Sequence, residues 1–133
     1  QAKMEKMMTH KGITHGGRLP QHLLEKEYKA SGVWAYPTDF FEINCISAIK
    51  AQAYGATPIC TDHAALSETV TFGTKVKGDI WDPKVKERYK KTLIKALQHP
   101  MLPVVRQEMM KETKEKYAWS TIVTSWIQEY ETL

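Results

Sequence analysis

Glu42, Lys50, His63 and Arg18 are the side chains whose types and settings could do chemistry in this sequence. Glu42 stands at the entrance of the helical run "DFFEINCISAIK". A carboxylate there either steadies the first helical turn, worth up to about 1 kcal/mol, or projects forward to accept hydrogen bonds from ligand hydroxyls. Lys50 is a lone cation on a helix otherwise built of small and apolar residues. It suits a phosphate, a carboxylate or plain solvent. Arg18 follows Gly16 and Gly17 in a short loop and fits either a phosphate or solvent, while His63 follows Asp62 where a strand gives way to a loop.

Other chemistries have less support. The histidines at 10, 15, 22, 63 and 99 have no tight ligand spacing, so no metal is expected. No Ser/His/Asp arrangement, Gly-x-Ser-x-Gly elbow or Walker loop is present. Cys45 and Cys60 sit in apolar settings without CxxC spacing, which predicts reduced, buried thiols. The lysine-rich stretch Lys84–Lys95 is interrupted by Glu87 and lacks interleaved aromatics. A solvated helix face explains it, and no nucleic-acid partner is expected.

The elements that must position these groups follow from periodicity. Lys3–Met8 reads as the tail of a helix, and "GITHGG" (Gly12–Gly17) as a brief strand and loop. Leu19, Leu23, Leu24 and Tyr28 give the apolar face of a second helix, with Pro20 in its first turn and Gly32 as its cap. "VWAYP" (Val33–Pro37) predicts a buried strand. Ile43, Ile46, Ile49 and Ala53 predict a helix stopped by Gly55, and "TPICT" (Thr57–Thr61) the next strand. Short strands alternating with helices, apolar on both faces, predict an α/β fold: a Rossmann-like parallel sheet with flanking helices. Val85, Tyr89, Leu93 and Leu97 then step by four along a helix. From Pro103 a long helical segment ends in an apolar stripe of Trp119, Ile122, Val123, Trp126, Ile127 and Tyr130, with a cap or kink at Ser120 or Thr121. Such a stripe predicts core packing.

In a sheet of this kind ligands bind beyond the carboxyl ends of the strands. The loops His15–Arg18, Tyr36–Asn44 and Asp62–Thr69 are the candidates. Two of them lead into helices, whose free N–H groups suit a phosphate.

At 133 residues, the chain (1–133) fits a single domain. Hydrophobic residues make up 42% and charged residues 26%, ordinary for a globular protein. A net charge of +4 and a pI near 9.0 are compatible with a phosphate-bearing ligand, a nucleic acid or peripheral contact with a lipid surface. No apolar run reaches the roughly 18 residues of a membrane span, and the N-terminal stretch lacks a signal-peptide core, so a cytoplasmic location is expected. The chain opens on Gln1 rather than Met, and is expected to be part of a longer protein.

Gly32–Val70 resembles the C-terminal domain of GT-B-fold retaining glycosyltransferases that use nucleotide-diphosphate sugars. The family pattern runs strand, Pro-Ser/Thr, Glu-Gly-Phe-Gly, helix, Ala-x-Gly-x-Pro-Val, then a loop ending in Glu before a valine. This chain reads Pro37-Thr38, Glu42-Ile43-Asn44-Cys45, Ala53-Tyr54-Gly55-Ala56-Thr57-Pro58-Ile59 and Ser67-Glu68-Thr69-Val70. "THGGRLPQHLLEKEYKAS" resembles the family's glycine loop and helix, and "KYAWSTIVTSWIQEY" its closing helix, so the likeness covers nearly the whole chain.

The resemblance implies a hexosyltransferase-like enzyme whose donor, a UDP-sugar or a related nucleotide-sugar, binds here. Glu42 would contact sugar hydroxyls, and the N–H groups of Ile43, Asn44, Cys45 and Ile46 would hold sugar and diphosphate. Gly16, Gly17 and Arg18 would border the nucleoside, and Pro37, Thr38, His63 and Glu68 complete the implied donor site. No cofactor or metal is implied, because helix dipoles and basic groups can stabilise the leaving phosphate. The acceptor, unidentified, and the family's Arg/Lys pair would belong to an upstream N-terminal domain, leaving this chain inactive by itself. The family's second glutamate is Lys50 here, which cannot accept from ribose hydroxyls. Ile43 and Cys45 replace two glycines, leaving less room for close approach to the backbone. These replacements support an alternative, a non-catalytic Rossmann-like nucleotide-binding or scaffold module.

Overall fold

The computed structural model describes residues 2–132, so Gln1 lies outside the described residues. Three strands, β1 (Val33–Tyr36), β2 (Thr57–Thr61) and β3 (Thr74–Val76), form a parallel sheet in the order β1-β2-β3. Among the described residues seven helices accompany them: α1 (Ala2–Met8), α2 (Gln21–Ala30), α3 (Ile46–Tyr54), α4 (Leu66–Thr69), α5 (Pro83–Gln98), α6 (Pro103–Tyr117) and α7 (Trp119–Glu131). The protein is thus mixed α/β, with a parallel sheet flanked by helices.

The central strand organises the core because both of its neighbours are strands and both of its faces are covered. All five residues of β2 are buried. Ile59 packs with Val76, Val85 and Tyr89 on the α5 face. Cys60 points the other way, to Cys45, Ala48, Leu66 and Val70. Alternation along β1 follows the same rule, Val33 joining the α5 side and Trp34 and Tyr36 the α3 side. On that second face α3 packs against α2, through Tyr28 and Ala51, and against α6.

Two polar ties fix the layers. The Tyr89 hydroxyl donates to the Ile59 carbonyl at 2.7 Å, pinning α5 to β2. The fully buried Gln52 amide donates to the Ala48 and Thr69 carbonyls, and its oxygen accepts from the N–H groups of Thr71 and Phe72. Gln52 therefore clamps α3 to the turn that launches β3. Gly73 opens that strand at φ 92°, and a Cβ there would lie 2.1 Å from the Pro58 carbonyl oxygen, so only glycine lets β3 approach β2.

Several sequence expectations are corrected. Gly12–Gly17 is not a strand; the third strand is β3, whose three residues are too few to show periodicity. β1 is half-buried, being an edge strand. α2 ends on Ser31 in extended backbone, not on Gly32. Helix α3 begins at Ile46, so Glu42 precedes it and is not in its first turn. The buried face of α3 is formed by the small residues Ala48 and Ala51 together with Gln52, and Ile43 is 92% exposed. Leu97 is exposed, and Ala96 takes its place against the core. The expected aromatic core stripe belongs to α7, which has no buried residue. Its break from α6 falls at Ala118, where the backbone is extended, and not at Ser120 or Thr121. Gly55, by contrast, ends α3 in left-handed backbone as expected (φ 91°).

Candidate functional site

The carboxyl ends of the three strands open into three loops that meet. Together they line a cavity of about 390 Å³ bounded by Thr38 and Asp39 after β1, Asp62 and His63 after β2, and Gly78, Asp79 and Ile80 after β3. Thr61, the last residue of β2, donates its hydroxyl to the Thr38 carbonyl at 2.6 Å and accepts from the Thr38 N–H at 3.2 Å. This double bond pair holds the first loop onto the central strand.

Glu42 is positioned from both ends. Its Oε1 accepts from the Tyr36 hydroxyl at 2.9 Å, and its backbone carbonyl accepts from the Ala65 N–H at 3.1 Å. The second contact depends on a turn in which Ala64 adopts φ 48°, left-handed backbone that is uncommon for a residue with a Cβ. Burial first, and then the hydrogen bond to Glu42, raise the Tyr36 phenol above its ordinary range, so it stays a donor. The second carboxylate oxygen of Glu42 has no partner among the described residues. Immediately after it, the N–H groups of Ile43, Asn44 and Cys45 likewise have no acceptor among the described residues. The Ile46 N–H is already taken by the Asn44 carbonyl, at 3.2 Å.

Cys45 caps α3 from a buried position. Burial raises its thiol above the ordinary range, against a smaller lowering by the Ala48 N–H, so it is a packing group and not a thiolate nucleophile. His63 meets the Phe41 ring edge-on at 5.9 Å. Asp62 accepts from the Ser67 hydroxyl at 2.7 Å. Asp39 accepts from the Trp81 indole at 2.6 Å, and Asp79 from the Trp81 N–H at 2.9 Å.

Of the predicted site residues the structure places Thr38 and His63 in the cavity lining, while Glu42 and the 43–46 backbone lie on the loop after β1 without lining it. It does not add the remaining candidates to the cavity lining. Gly16, Gly17 and Arg18 lie in an exposed or half-exposed segment before α2, Pro37 is exposed at the end of β1, and Glu68 is exposed on α4. Lys50 is half-buried in mid-α3, and no hydrogen bond or ion pair engages its ammonium among the described residues.

The candidate loop Tyr36–Asn44 contains Tyr36 and Asp39 without giving either a role, and Thr61, Asp79 and Trp81 lie outside the candidates. Thr61 is legible from its place at a strand end, whereas Asp79 and Trp81 are not, because β3, which brings them round, carries no legible pattern. Among the described residues no group of His, Cys, Asp and Glu has the makings of a metal site, and no helix is long and apolar enough to cross a membrane.

Comparison with family models, with curated proteins and with solved structures finds no match to the chain.

Proposed function

We propose that this chain is the donor-binding half-site of a retaining glycosyltransferase of the GT-B type, which transfers a sugar from a nucleotide-diphosphate sugar to an acceptor held by an upstream domain. The observation that carries the reading is the arrangement at the head of α3. A carboxylate with one oxygen held by Tyr36 and one oxygen free sits beside three successive unengaged N–H groups, at the carboxyl edge of a parallel sheet.

Such a site offers an acceptor for sugar hydroxyls and donors for a diphosphate, in adjacent positions. In the proposed reaction the glycosidic bond to the diphosphate breaks and the nucleoside diphosphate leaves with the bonding pair, while the acceptor hydroxyl bonds to the same face of the sugar and passes its proton to the departing phosphate oxygen. The N–H groups and the positive end of α3 stabilise the charge that develops on the leaving phosphate. Glu42 orients the sugar and is held for that task by Tyr36.

A second reading, a non-catalytic nucleotide-binding or scaffold module, draws on Lys50 and on the cavity itself. Asp39, Asp62 and Asp79 line it, and carboxylates repel a diphosphate. Calorimetry with UDP-, GDP- and ADP-sugars separates the two. The transferase reading expects one of them to bind, and expects Glu42→Ala to weaken that binding by roughly tenfold or more, the loss of one charge-assisted hydrogen-bonding group, with the circular-dichroism spectrum unchanged. Absence of binding by all three sugars, in a chain that includes the upstream domain, selects the scaffold.

A further inference from the structure

Helix α5 has a covered side and an open side, and the open side is unusually composed. Val85 and Tyr89 are buried against the sheet, and Leu93 and Ala96 pack beside them. The sequence PKVKERYKKTLIKALQ carries six basic residues against the single acid Glu87, which lies 3.8 Å from Lys90. At 100° per residue these cations fall into two rows on the outer face. Lys84, Arg88, Lys91 and Lys95 make one row, along a shallow open groove of about 640 Å³. Lys86 and Lys90 begin the other, which continues into Ile94 and Leu97, 43% and 64% exposed. Trp81 extends this second row, with the Lys86 ammonium 4.7 Å from its ring centre and the indole itself exposed.

We infer that the outer face of α5 docks on an anionic lipid surface. Charge alone suits any polyanion, and the aliphatic residues decide between classes. Ile94 and Leu97 stand among the lysines, where they gain nothing from a phosphate backbone and offer no ring on which a base can stack. At a bilayer the same residues enter the boundary between headgroups and acyl chains while the lysines meet anionic headgroups, and an exposed Trp favours that depth. The helix is 16 residues long, about 24 Å at 1.5 Å per residue, enough to lie along the surface. Because its inner face stays packed on β2 and β3, docking needs no unfolding. The inference is independent of what binds at the head of α3.

The test is sedimentation of the chain with vesicles of phosphatidylcholine alone and of phosphatidylcholine with about one quarter phosphatidylserine. Binding is expected to the second only, and to weaken as salt rises from about 0.1 M to about 1 M, where the Debye length falls from ~10 Å to ~3 Å. Each lysine at the surface is worth roughly fivefold in partitioning, so Lys91→Glu with Lys95→Glu should lower binding by more than about 25-fold. Ile94→Ser with Leu97→Ser should lower it several-fold with all charges retained; both pairs are exposed, so the fold persists. Equal partitioning to the two vesicles, or none to either, overturns the inference. So does a loss confined to the lysine pair with the serine pair neutral, or tighter binding to single-stranded RNA than to the anionic vesicles, since both identify a simple polyanion contact.

Discussion

Strand β2 and helix α7 both carry large apolar side chains, and they end in opposite environments. All five residues of β2 are buried, whereas α7 buries none, although it carries Trp119, Val123, Trp126, Ile127 and Tyr130. Periodicity reports which side of an element is apolar; only the neighbours decide whether that side is covered. β2 is flanked by a strand on each edge and a helix layer on each face. α7 leaves the body at Ala118 and packs chiefly on α6.

The sharpest way to break this contrast is a pair of truncations. Ile59→Ala removes a buried side chain from the cluster of Val76, Val85 and Tyr89, and should cost about 2–5 kcal/mol. Trp126→Ala deletes a larger side chain, yet one 53% exposed on α7, and should cost less than about 1 kcal/mol, as exposed positions do. Urea midpoints of the two variants check it. A Trp126→Ala loss as large as that of Ile59→Ala would mean that α7 is covered in solution and that the contrast is false.

A smaller effect tests how the same core holds its polar tie. In Gln52→Leu the shape is nearly kept, but the Thr71 and Phe72 N–H groups and the Thr69 carbonyl lose their partner. Orphaned groups of this kind cost about 1–3 kcal/mol, so roughly 2 kcal/mol is expected. Because Gln52 ties α3 to the turn before β3, hydrogen exchange should rise first at 71–76. Uniform exchange across β2 as well would show that the tie belongs to the whole sheet.

The contrast also explains what the sequence made legible. β1, β2 and their parallel pairing follow from compact β-prone runs separated by a helix, and the capping of α3 by Gly55 follows from the only residue at ease at φ 91°. The exposure of Ile43 and Ile46 does not follow from that pattern; it arises because α2 and α6 pack on the face of α3 that carries the small residues Ala48 and Ala51. β3 is three residues long, with only Val76 buried, and it joins the sheet because Gly73 permits the approach. At the candidate site Glu42 was legible as a carboxylate before a helix. Its partner Tyr36 was not, since that contact requires the loop between them to fold back over β1.

The smallest effect is a pH slope that only the buried region should show. Burial raises the Cys60 thiol from 9.0 to about 12, and raises the Tyr89 phenol as well. Both groups are neutral in the folded state at a pH where the unfolded chain has begun to ionise. Below 9 the Cys60 thiol is protonated in both states and its contribution is fully present. As pH climbs from 9 toward 12 the unfolded state releases a proton that the folded state keeps, so stability falls. One unit above the unfolded value the loss from Cys60 is about 1.4 kcal/mol. Cys60→Ala should therefore flatten the alkaline arm of a plot of urea midpoint against pH, leaving the residual slope to which Tyr89, Cys45, Tyr36 and Tyr54 contribute. An alkaline arm that kept its full slope in Cys60→Ala would show that β2 does not hold the thiol in a buried environment, and would erase its difference from α7.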